Sequence, residues 1–212
     1  MLVRDVMTSP AVVISPDTTL EDAYRVLHEK QIRHLLVVDH TLEQTHLVGV
    51  VTDRDLRLAT STFTLSPHLP ASRIADVMCR HPLTADPSDP IEDAAFRMRE
   101  RKIGCLPVME DGAVVGIITG IDLLDALLRM TGVDKPSGRL EVRLPDQPGE
   151  LARLTSFLSH RDVNIHSILS HPEGPWLRTV LRVGSIETRA LAHDLREDGF
   201  EVVWPAEKPW PR

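Results

Sequence analysis

Residues 49–56, Gly-Val-Val-Thr-Asp-Arg-Asp-Leu, return later in the chain as residues 116–123, Gly-Ile-Ile-Thr-Gly-Ile-Asp-Leu. The stretches before them repeat as well: residues 5–39 align with residues 76–110 without a gap, and 11 of these 35 positions are identical. Only the loop between the two aligned blocks differs in length, by four residues. The sequence therefore predicts an internal duplication, and the duplication decides the fold of most of the chain.

Each copy shows the same order of secondary-structure signals. A short apolar stretch meets a proline, and a capping-box pattern beginning at Thr18 and at Asp89 predicts the start of a helix. Two strand patterns and a second helix follow. We therefore expect one βαββα unit over residues 1–60 and another over 72–131. Neither copy is large enough to bury its apolar faces alone, so the two are expected to pair about a pseudo-twofold axis.

Composition restricts the classes of function. Of the 212 residues, 42% are hydrophobic and 26% charged, which is typical of a soluble globular protein. The net charge of -7 opposes wrapping of a nucleic-acid backbone, which requires clustered lysine and arginine. No apolar run approaches the ~20 residues that cross a bilayer, and the N-terminus lacks a signal-peptide core. We expect a cytoplasmic protein with neither nucleic-acid nor membrane partners.

The sequence offers no motif for catalysis. The cysteines, Cys79 and Cys105, form no Cys-x-x-Cys pair and are interpreted as buried, reduced thiols. His34, His40 and His46 are evenly spaced, but no histidine and carboxylate set has ligand spacing on one face. Neither a phosphate-binding glycine-rich loop nor a Gly-x-Ser-x-Gly elbow occurs. We therefore predict no catalytic residue, no catalytic cofactor and no metal.

The motif Gly-apolar-apolar-Thr-x-x-Asp, preceded by Ile-Arg-His-Leu at 32–35 and Ile-Gly-Cys-Leu-Pro at 103–107, resembles the paired CBS domains that form a Bateman module. The resemblance covers about residues 1–130. In that family the cleft between the copies binds AMP, ADP, ATP or S-adenosylmethionine. A carboxylate at such a strand-to-helix junction can accept hydrogen bonds from ribose hydroxyls. The alternative is that Asp55 and Asp122 only cap their helices.

The resemblance implies two unequal sites, of which the main one holds an adenine nucleotide. There the ribose is held by a threonine and an aspartate, the adenine lies in an apolar slot, and basic side chains approach the phosphate. The ribose is held by Thr119 and Asp122. The adenine slot is lined by Ile117, Pro10, Ala11 and Val12, and the phosphate is approached by Arg33, His34 and Arg54. The alternative for the two arginines is an ordinary solvated surface.

The second site is the counterpart of the first. Its ribose and base positions are Thr52, Asp55, Val50, Pro82 and Leu83. The facing positions, where the basic side chains are missing, are Gly104, Cys105 and Ile121. This site suits a nucleoside or a sulfonium ligand such as S-adenosylmethionine and is a poor phosphate site.

From about Gly138 the pattern changes to βαββαβ, with helices on one face of an antiparallel sheet. The helices are predicted to bury Leu151, Leu154, Phe157 and Leu158 in one case and Ile186, Leu191 and Leu195 in the other. The loop Asp146-Gln-Pro-Gly-Glu-Leu151, with Asn164 before the second strand, resembles the ACT domain, a ferredoxin-like fold, over residues 138–205. The whole chain is therefore expected to be α+β.

The ACT resemblance implies that an amino acid binds between this loop and the second strand, at Asp146, Gly149, Leu151 and Asn164. Free N–H groups at a helix N-terminus can receive its carboxylate. The alternative is that Pro-Gly only makes a turn and that the domain serves as a dimer contact.

Two CBS copies followed by an ACT domain resemble the acetoin-utilisation (AcuB-like) proteins. This resemblance implies a homodimeric, nucleotide-responsive regulator in acetoin or acetate metabolism. Two other functions stay open: a dimeric scaffold that binds no ligand, and an enzyme. Stabilisation by a ligand would distinguish the regulator from the scaffold, and turnover of a nucleotide would reveal an enzyme.

Overall fold

The structure is a computed structural model that describes residues 1–40, 45–60 and 73–207. The chain forms two compact units, Met1–Leu124 and Asp125–Arg212. The predicted hairpin loop between His40 and His46 falls mostly on residues outside the described ones. Within the described residues, no helix is both long enough and apolar enough to cross a membrane.

The first copy consists of a short strand, a helix, a hairpin and a second helix. Its elements are β1 (Val13–Ile14), α1 (Leu20–Lys30), β2 (His34–His40), β3 (Thr45–Thr52) and α2 (Asp53–Thr60). β1 runs parallel to β2, and β2 pairs with β3 in antiparallel register. The core of this copy lies between α1 and the sheet, where Ala23, Leu27, Leu35 and Val37 are buried.

The second copy repeats the first. Its elements are β4 (Cys79–Arg80), α3 (Ile91–Arg101), β5 (Cys105–Glu110), β6 (Ala113–Thr119) and α4 (Gly120–Thr131). Helices α1 and α3 have equal length and begin 71 residues apart, as the alignment predicts. A single parallel bridge from Ala85 to Val108 takes the place of the β1–β2 pairing. The duplicated βαββα fold is thereby confirmed.

The predicted capping boxes are wrong by one residue. The N-cap of α1 is Thr19, whose hydroxyl accepts from the Asp22 backbone N–H at 3.1 Å, because the helix begins at Leu20. The N-cap of α3 is Pro90, which has no side-chain acceptor. Asp89 instead forms an ion pair with Arg97, which lies five residues beyond Glu92, the predicted partner.

The segment that leads into each copy completes the core of the other. The Val3 N–H donates to the Asp89 carbonyl at 2.9 Å, and the Val3 side chain is fully buried in the second core. At the equivalent place, the Ile74 N–H donates to the Thr18 carbonyl at 2.9 Å, and Ile74 is fully buried in the first core. Each such burial contributes about 1.5–3 kcal/mol. The sequence did not predict this exchange.

The two copies also meet directly through the strands β3 and β6. Leu36 and Val50 of the first copy are buried against Cys105 and Ile117 of the second. Because Thr52 and Thr119 each end one of these strands, the predicted ribose-binding residues follow this interface at equivalent positions.

The C-terminal unit is an antiparallel sheet in the order β10-β7-β9-β8, with two helices. Its elements are β7 (Gly138–Pro145), α5 (Glu150–Ser159), β8 (Ile165–Glu173), β9 (Trp176–Val183), α6 (Thr188–Glu197) and β10 (Glu201–Trp204). The core lies between the helices and the sheet, with Leu140, Leu144, Leu154, Leu181 and Leu195 fully buried. The predicted βαββαβ order is confirmed.

Several predicted buried positions are wrong. Leu151 is 40% exposed because it lies in the first turn of α5, and Ile186 is 81% exposed because it precedes α6. Cys79 is exposed because β4 is short and lies on the surface, whereas Cys105 is buried as predicted.

Candidate functional site

The loop-free junction between β6 and α4 is held by a reciprocal contact between Thr119 and Asp122. The Thr119 backbone N–H and its hydroxyl each donate to Oδ2 of Asp122 at 2.7 Å. In return the Asp122 N–H donates to the Thr119 hydroxyl at 3.4 Å. The first copy has the same contact, in which the Thr52 N–H and hydroxyl donate to Oδ2 of Asp55 at 2.9 and 2.7 Å. In each copy the threonine is thus the N-cap and the aspartate is the third helical residue of a capping box, so both aspartates do take part in capping, as the alternative interpretation states.

Capping uses only one oxygen of each carboxylate. Among the described residues, no hydrogen bond reaches Oδ1 of Asp122 or of Asp55. Both aspartates are half-buried, so the second oxygen is not in bulk solvent on all sides. An ionised carboxylate has about four lone-pair sites, of which the cap occupies two. Capping and ribose binding are therefore compatible, and the cap fixes the orientation in which the carboxylate would meet a diol.

The predicted adenine slot is formed in part. The N–H of Thr8 donates to the Ile117 carbonyl at 2.9 Å, and the Ile117 N–H donates back at 3.0 Å, so the first segment of the chain lies along β6. Ala11 consequently packs on the same cluster as Ile117, and Pro10 precedes it as an exposed residue. Val12 departs from the prediction, since it packs against the core of the first copy.

The two predicted phosphate-binding arginines have no counter-ion in the part of the chain that the structure describes. Arg33 and Arg54 are exposed and form no ion pair with any other described residue. The nearby Arg57 differs, because its guanidinium pairs with the Asp53 carboxylate at 2.6 Å. The Arg33 carbonyl accepts from the Asp53 N–H at 3.1 Å, which anchors its backbone at the start of α2.

His34 lies at the junction of the two copies. A Cβ atom on Gly104 would lie only 2.9 Å from Nε2 of His34, so the imidazole occupies the space beside that glycine. Burial lowers the pKa of His34 below its usual 6.5, although the charges of Asp53 and Asp55 oppose the shift. The imidazole is therefore neutral at pH 7. The two acidic groups that act on its pKa, Asp53 and Asp55, belong to the first copy, so His34 also adjoins the second site.

The second site has the thiol of Cys105 at the position equivalent to His34 in the main site. Val50 pairs with Cys79 across β3 and β4, and Val50 is buried in the cluster between the copies. Burial, followed by the charges of Cys79 and Asp55, raises the pKa of Cys105 to about 12, so this thiol stays protonated. The remaining predicted residues differ in exposure: Pro82 is half-buried, Leu83 44% exposed and Ile121 63% exposed.

Of the four residues predicted for an amino-acid ligand, only Asn164 lines the surface depression beside the second strand of this unit. Gly149 is the N-cap of α5 with a φ of 97°, a conformation that favours glycine. Asp146 and Leu151 are exposed on either side of it. Asn164 instead lines a surface depression of about 370 Å³ together with Thr155, Ser159, Asp162, Val163 and Ile165.

Sequence reasoning missed the steric role of Gly104. The aligned position in the first copy is Arg33, so the loss of a side chain at this point was visible in the alignment. Within residues 1–40, 45–60 and 73–207, no group of three or more histidine, cysteine, aspartate or glutamate residues could hold a metal ion.

A duplicated βαββα unit with a capped Thr–Asp junction in each copy, followed by a βαββαβ unit, defines a tandem-repeat module joined to a ferredoxin-like domain. Family models agree: the CBS domain model matches residues 3–61 and 74–129, and the ACT domain model matches residues 138–192. The chain belongs to the CBS-domain family and carries an ACT domain.

Curated relatives match over the CBS pair. A CBS domain-containing protein of Dictyostelium discoideum is 35% identical over 142 residues, which is 61% of this chain and 93% of that protein. The homoserine O-acetyltransferase of Methanohalobium evestigatum is 32% identical over 122 residues, 57% of this chain but only 23% of the enzyme. The chain thus spans about a quarter of that enzyme's length.

Solved structures match the same region. The CBS domain pair of protein MJ0100, in complex with 5'-methylthioadenosine and S-adenosyl-L-methionine, has a TM-score of 0.53 at 28% identity, covering 64% of this chain and 98% of that one. CBSX2 in complex with AMP has a TM-score of 0.54 at 31% identity, covering 61% of this chain and 97% of that one. A putative acetoin utilization protein (AcuB) from Vibrio cholerae has a TM-score of 0.53 at 29% identity, covering 65% of this chain and 98% of that one.

Proposed function

We propose that this protein is a ligand-sensing regulator, not an enzyme, that binds an adenine nucleotide between its CBS copies at Asp122. One observation carries the proposal: the hydrogen bonds from Thr119 occupy Oδ2 of Asp122 and leave its Oδ1 without a protein partner among the described residues. The AMP complex of CBSX2 and the adenosyl complexes of MJ0100 support this ligand class.

Each group has a distinct role in this site. Oδ1 of Asp122 accepts hydrogen bonds from the ribose hydroxyls, while Oδ2 remains with Thr119. The adenine packs beside Ala11 and Ile117. Arg33 and Arg54 neutralise the phosphate, since neither has a counter-ion among the described residues and an arginine fork matches phosphate geometry.

The second site, at Thr52 and Asp55, takes an adenosyl ligand without a phosphate. It presents a carboxylate and the uncharged thiol of Cys105, with no cation at the positions of Gly104 and Cys105. A cationic sulfonium is compatible with this charge, whereas a phosphate is not. The paired adenosyl ligands of MJ0100 support a ligand of this kind.

Isothermal titration calorimetry of the full chain tests the assignment. AMP, ADP and ATP should bind the wild-type protein, and Asp122→Asn should weaken binding at least tenfold, because the amide keeps an acceptor for the cap but loses the charge-assisted bonds to ribose. The matched variant Asp55→Asn should retain nucleotide binding. Loss of AMP binding in Asp55→Asn with no change in Asp122→Asn would contradict the choice of site.

The arginines are tested in the same way. Arg54→Gln should weaken AMP more than adenosine, because only AMP carries the phosphate. Arg57→Gln is the control, since Arg57 lies one helical turn further along α2 and pairs with Asp53. Equal losses for AMP and adenosine in Arg54→Gln would contradict a phosphate role.

The biological role follows from the likeness to the acetoin utilization protein of Vibrio cholerae, and we propose that the regulator acts in acetoin or acetate metabolism. The cytoplasmic location and the amino-acid site at Asp146, Gly149, Leu151 and Asn164 stay predictions.

A dimeric scaffold is the second candidate, and an apolar stripe on α4 favours it. Leu124, Leu127 and Leu128 are 50%, 51% and 43% exposed, and such surfaces mark protein interfaces. Sedimentation of wild type and Leu127→Glu measures the oligomeric state. A homodimer whose melting temperature no adenosyl compound raises would replace the sensor with the scaffold.

A further inference from the structure

The face of the C-terminal sheet that is turned away from α5 and α6 carries arginines in opposed pairs. In the antiparallel register of β7 and β9, Arg143 lies opposite Arg178, and Arg139 lies opposite Arg182. These residues alternate with the buried core positions of the same strands, so all four side chains share the open face. Like charges directly opposite each other destabilise a sheet unless an anion lies between them.

At one of these pairs the protein supplies the anion itself. The carboxylate of Glu173 accepts from Nε of Arg143 at 3.0 Å, and from Nε and Nη2 of Arg178 at 3.0 and 2.8 Å. These hydrogen bonds lower the pKa of Glu173 to about 2. The Arg143–Arg178 pair is therefore bridged by a carboxylate that is ionised at every physiological pH.

At the other pair, none of the described residues supplies a bridging anion. Arg139 pairs with Glu141 at 2.5 Å, and the other oxygen of Glu141 is already bound by Arg178 at 2.7 Å. Arg182 forms no ion pair and no side-chain hydrogen bond with any residue that the structure describes. It is nevertheless half-buried. A partly desolvated guanidinium opposite a second arginine is costly without a counter-ion.

A cavity of about 180 Å³ lies over this unbridged pair. It is lined by Leu128, Thr131, Val133, Arg139, Ser167, Leu169, Val180 and Arg182, all within the C-terminal unit. The Ser167 hydroxyl donates to the Thr131 carbonyl at 2.7 Å, so its oxygen remains available as an acceptor. One end of the cavity is thus cationic and the rest is mainly apolar.

We propose that this cavity binds a short-chain monocarboxylic acid without an amino group, whose carboxylate bridges Arg182 and Arg139 as Glu173 bridges Arg178 and Arg143. The apolar part of the ligand packs against Leu169 and Val180. The volume is below the roughly 300–1,000 Å³ of pockets for drug-sized ligands, which restricts the ligand to a short chain.

The absence of an amino group follows from the charges around the cavity. None of the residues that line it is acidic, and Glu141, the partner of Arg139, is already shared with Arg178. An ammonium group would enter beside two guanidinium groups with no free acceptor carboxylate to receive it. The proposal is independent of nucleotide binding, because every residue involved lies in the unit that follows Leu124.

Isobutyrate is a suitable probe, and isobutyramide is its neutral counterpart of nearly the same shape. In methyl NMR of the full chain, isobutyrate should give saturable shifts at Leu128, Leu169 and Val180, and isobutyramide should give none. Arg182→Gln should weaken isobutyrate binding at least tenfold, because it removes a charge-assisted hydrogen bond. Arg189→Gln, an exposed position on α6, is the control and should bind like wild type.

Leu169→Glu provides a second variant, because it places a carboxylate on the protein next to Arg182. It should raise the melting temperature of the C-terminal unit and abolish isobutyrate binding. 2-Aminoisobutyrate, which adds an ammonium group to the α carbon of isobutyrate, should bind more weakly than isobutyrate. The proposal is overturned by the absence of saturable binding, by unchanged binding in Arg182→Gln, or by tighter binding of 2-aminoisobutyrate.

Discussion

The imidazole of His34 occupies the space beside Gly104, with Nε2 only 2.9 Å from the position where a Cβ atom would be. Gly104 is the counterpart of Arg33, and His34 is the counterpart of Cys105. The difference between the two copies is therefore a packing requirement, because a side chain at residue 104 and the present position of His34 exclude each other. One of the two missing cations, that at residue 104, follows from this contact, whereas the other, Ile121 in place of Arg54, does not involve it.

Gly104→Ala should separate the effect on ligand binding from the effect on stability. The added methyl group displaces the far end of a flexible side chain, so the unfolding free energy should change by less than about 1 kcal/mol. AMP affinity should change, because His34 moves, whereas adenosine affinity should hardly change. Calorimetry and thermal denaturation of the same sample measure both quantities.

The comparison variant is Gly138→Ala, where a Cβ atom would lie 2.1 Å from the Ser185 carbonyl oxygen and from a methyl group of Thr188. Backbone must move there, so this variant should lose at least about 1–3 kcal/mol of stability without affecting AMP. Unchanged AMP binding in Gly104→Ala would show that His34 takes no part in the site.

Nucleotide binding should depend on pH through His34. Burial lowers its pKa in the free protein, and a bound phosphate raises it, so AMP binding should take up a proton below about pH 6.5. Affinity for AMP should therefore increase as the pH falls through this range. Calorimetry in two buffers of different ionisation enthalpy measures the proton uptake.

His34→Gln is the control, because glutamine does not titrate and the titration of the phosphate itself is common to both proteins. The proton uptake of wild type should exceed that of the variant. In the free protein the sign is opposite: a lowered folded pKa means that protonation favours the unfolded state, so stability falls below pH 6.5. Equal proton uptake in both proteins would contradict the role of His34.

The sequence predicted the fold well where the evidence was repetition or alternation. The duplication gave both copies, and the alternation of residues 139–144 gave β7. Capping residues were less certain, because Thr18 and Thr19 are equally good caps and only the position of Asp22 selects the second. Boundary errors of this kind arise because adjacent residues can have equal preferences for the capping position.

Long-range relations were not predictable from a single sequence. The exchange of Val3 and Ile74 between the cores depends on how the two copies face each other, which no local pattern encodes. Likewise the apolar alternation of β7 and β9 was recognised, but the opposition of Arg139 and Arg182 on the other face required the register of the strands.

The exchanged segments should be essential for the stability of the first unit and not for that of the C-terminal unit. Ile74→Ala should lower its unfolding free energy by about 2–5 kcal/mol, and Val3→Ala by about 2 kcal/mol, since both side chains are fully buried. Leu58→Ala, at a position 52% exposed, should change it by less than about 0.5 kcal/mol.

Tryptophan fluorescence provides an internal reference for this measurement, because Trp176, Trp204 and Trp210 all follow Leu124. Urea unfolding followed by circular dichroism should shift in Ile74→Ala, while the fluorescence transition should not. A shift of the fluorescence transition alone would contradict the placement of Ile74 in the core of the first copy.

The two cysteines should react differently with iodoacetamide. Cys79 is exposed, whereas the pKa of Cys105 is raised to about 12 by burial, so its reactive thiolate is scarce at pH 8. Mass spectrometry of the native protein should find one alkylated site, at Cys79, and both sites after denaturation. In Cys79→Ser the native protein should remain unmodified, and alkylation of Cys105 there would contradict its burial.

Removal of the Glu173 bridge should alter the response of the C-terminal unit to acid. The pKa of Glu173 is lowered from 4.5 to about 2 by its hydrogen bonds with Arg178 and Arg143, so its stabilising effect is complete above pH 4.5 and is lost as the pH falls towards 2. In Glu173→Gln this part of the acid transition, followed by tryptophan fluorescence, should be flatter than in wild type. Glu187→Gln, an exposed position before α6, should retain the wild-type slope. Identical slopes in wild type and Glu173→Gln would mean that solvent screening cancels the bridge, and Glu173 would then be no precedent for a stabilising carboxylate between Arg139 and Arg182.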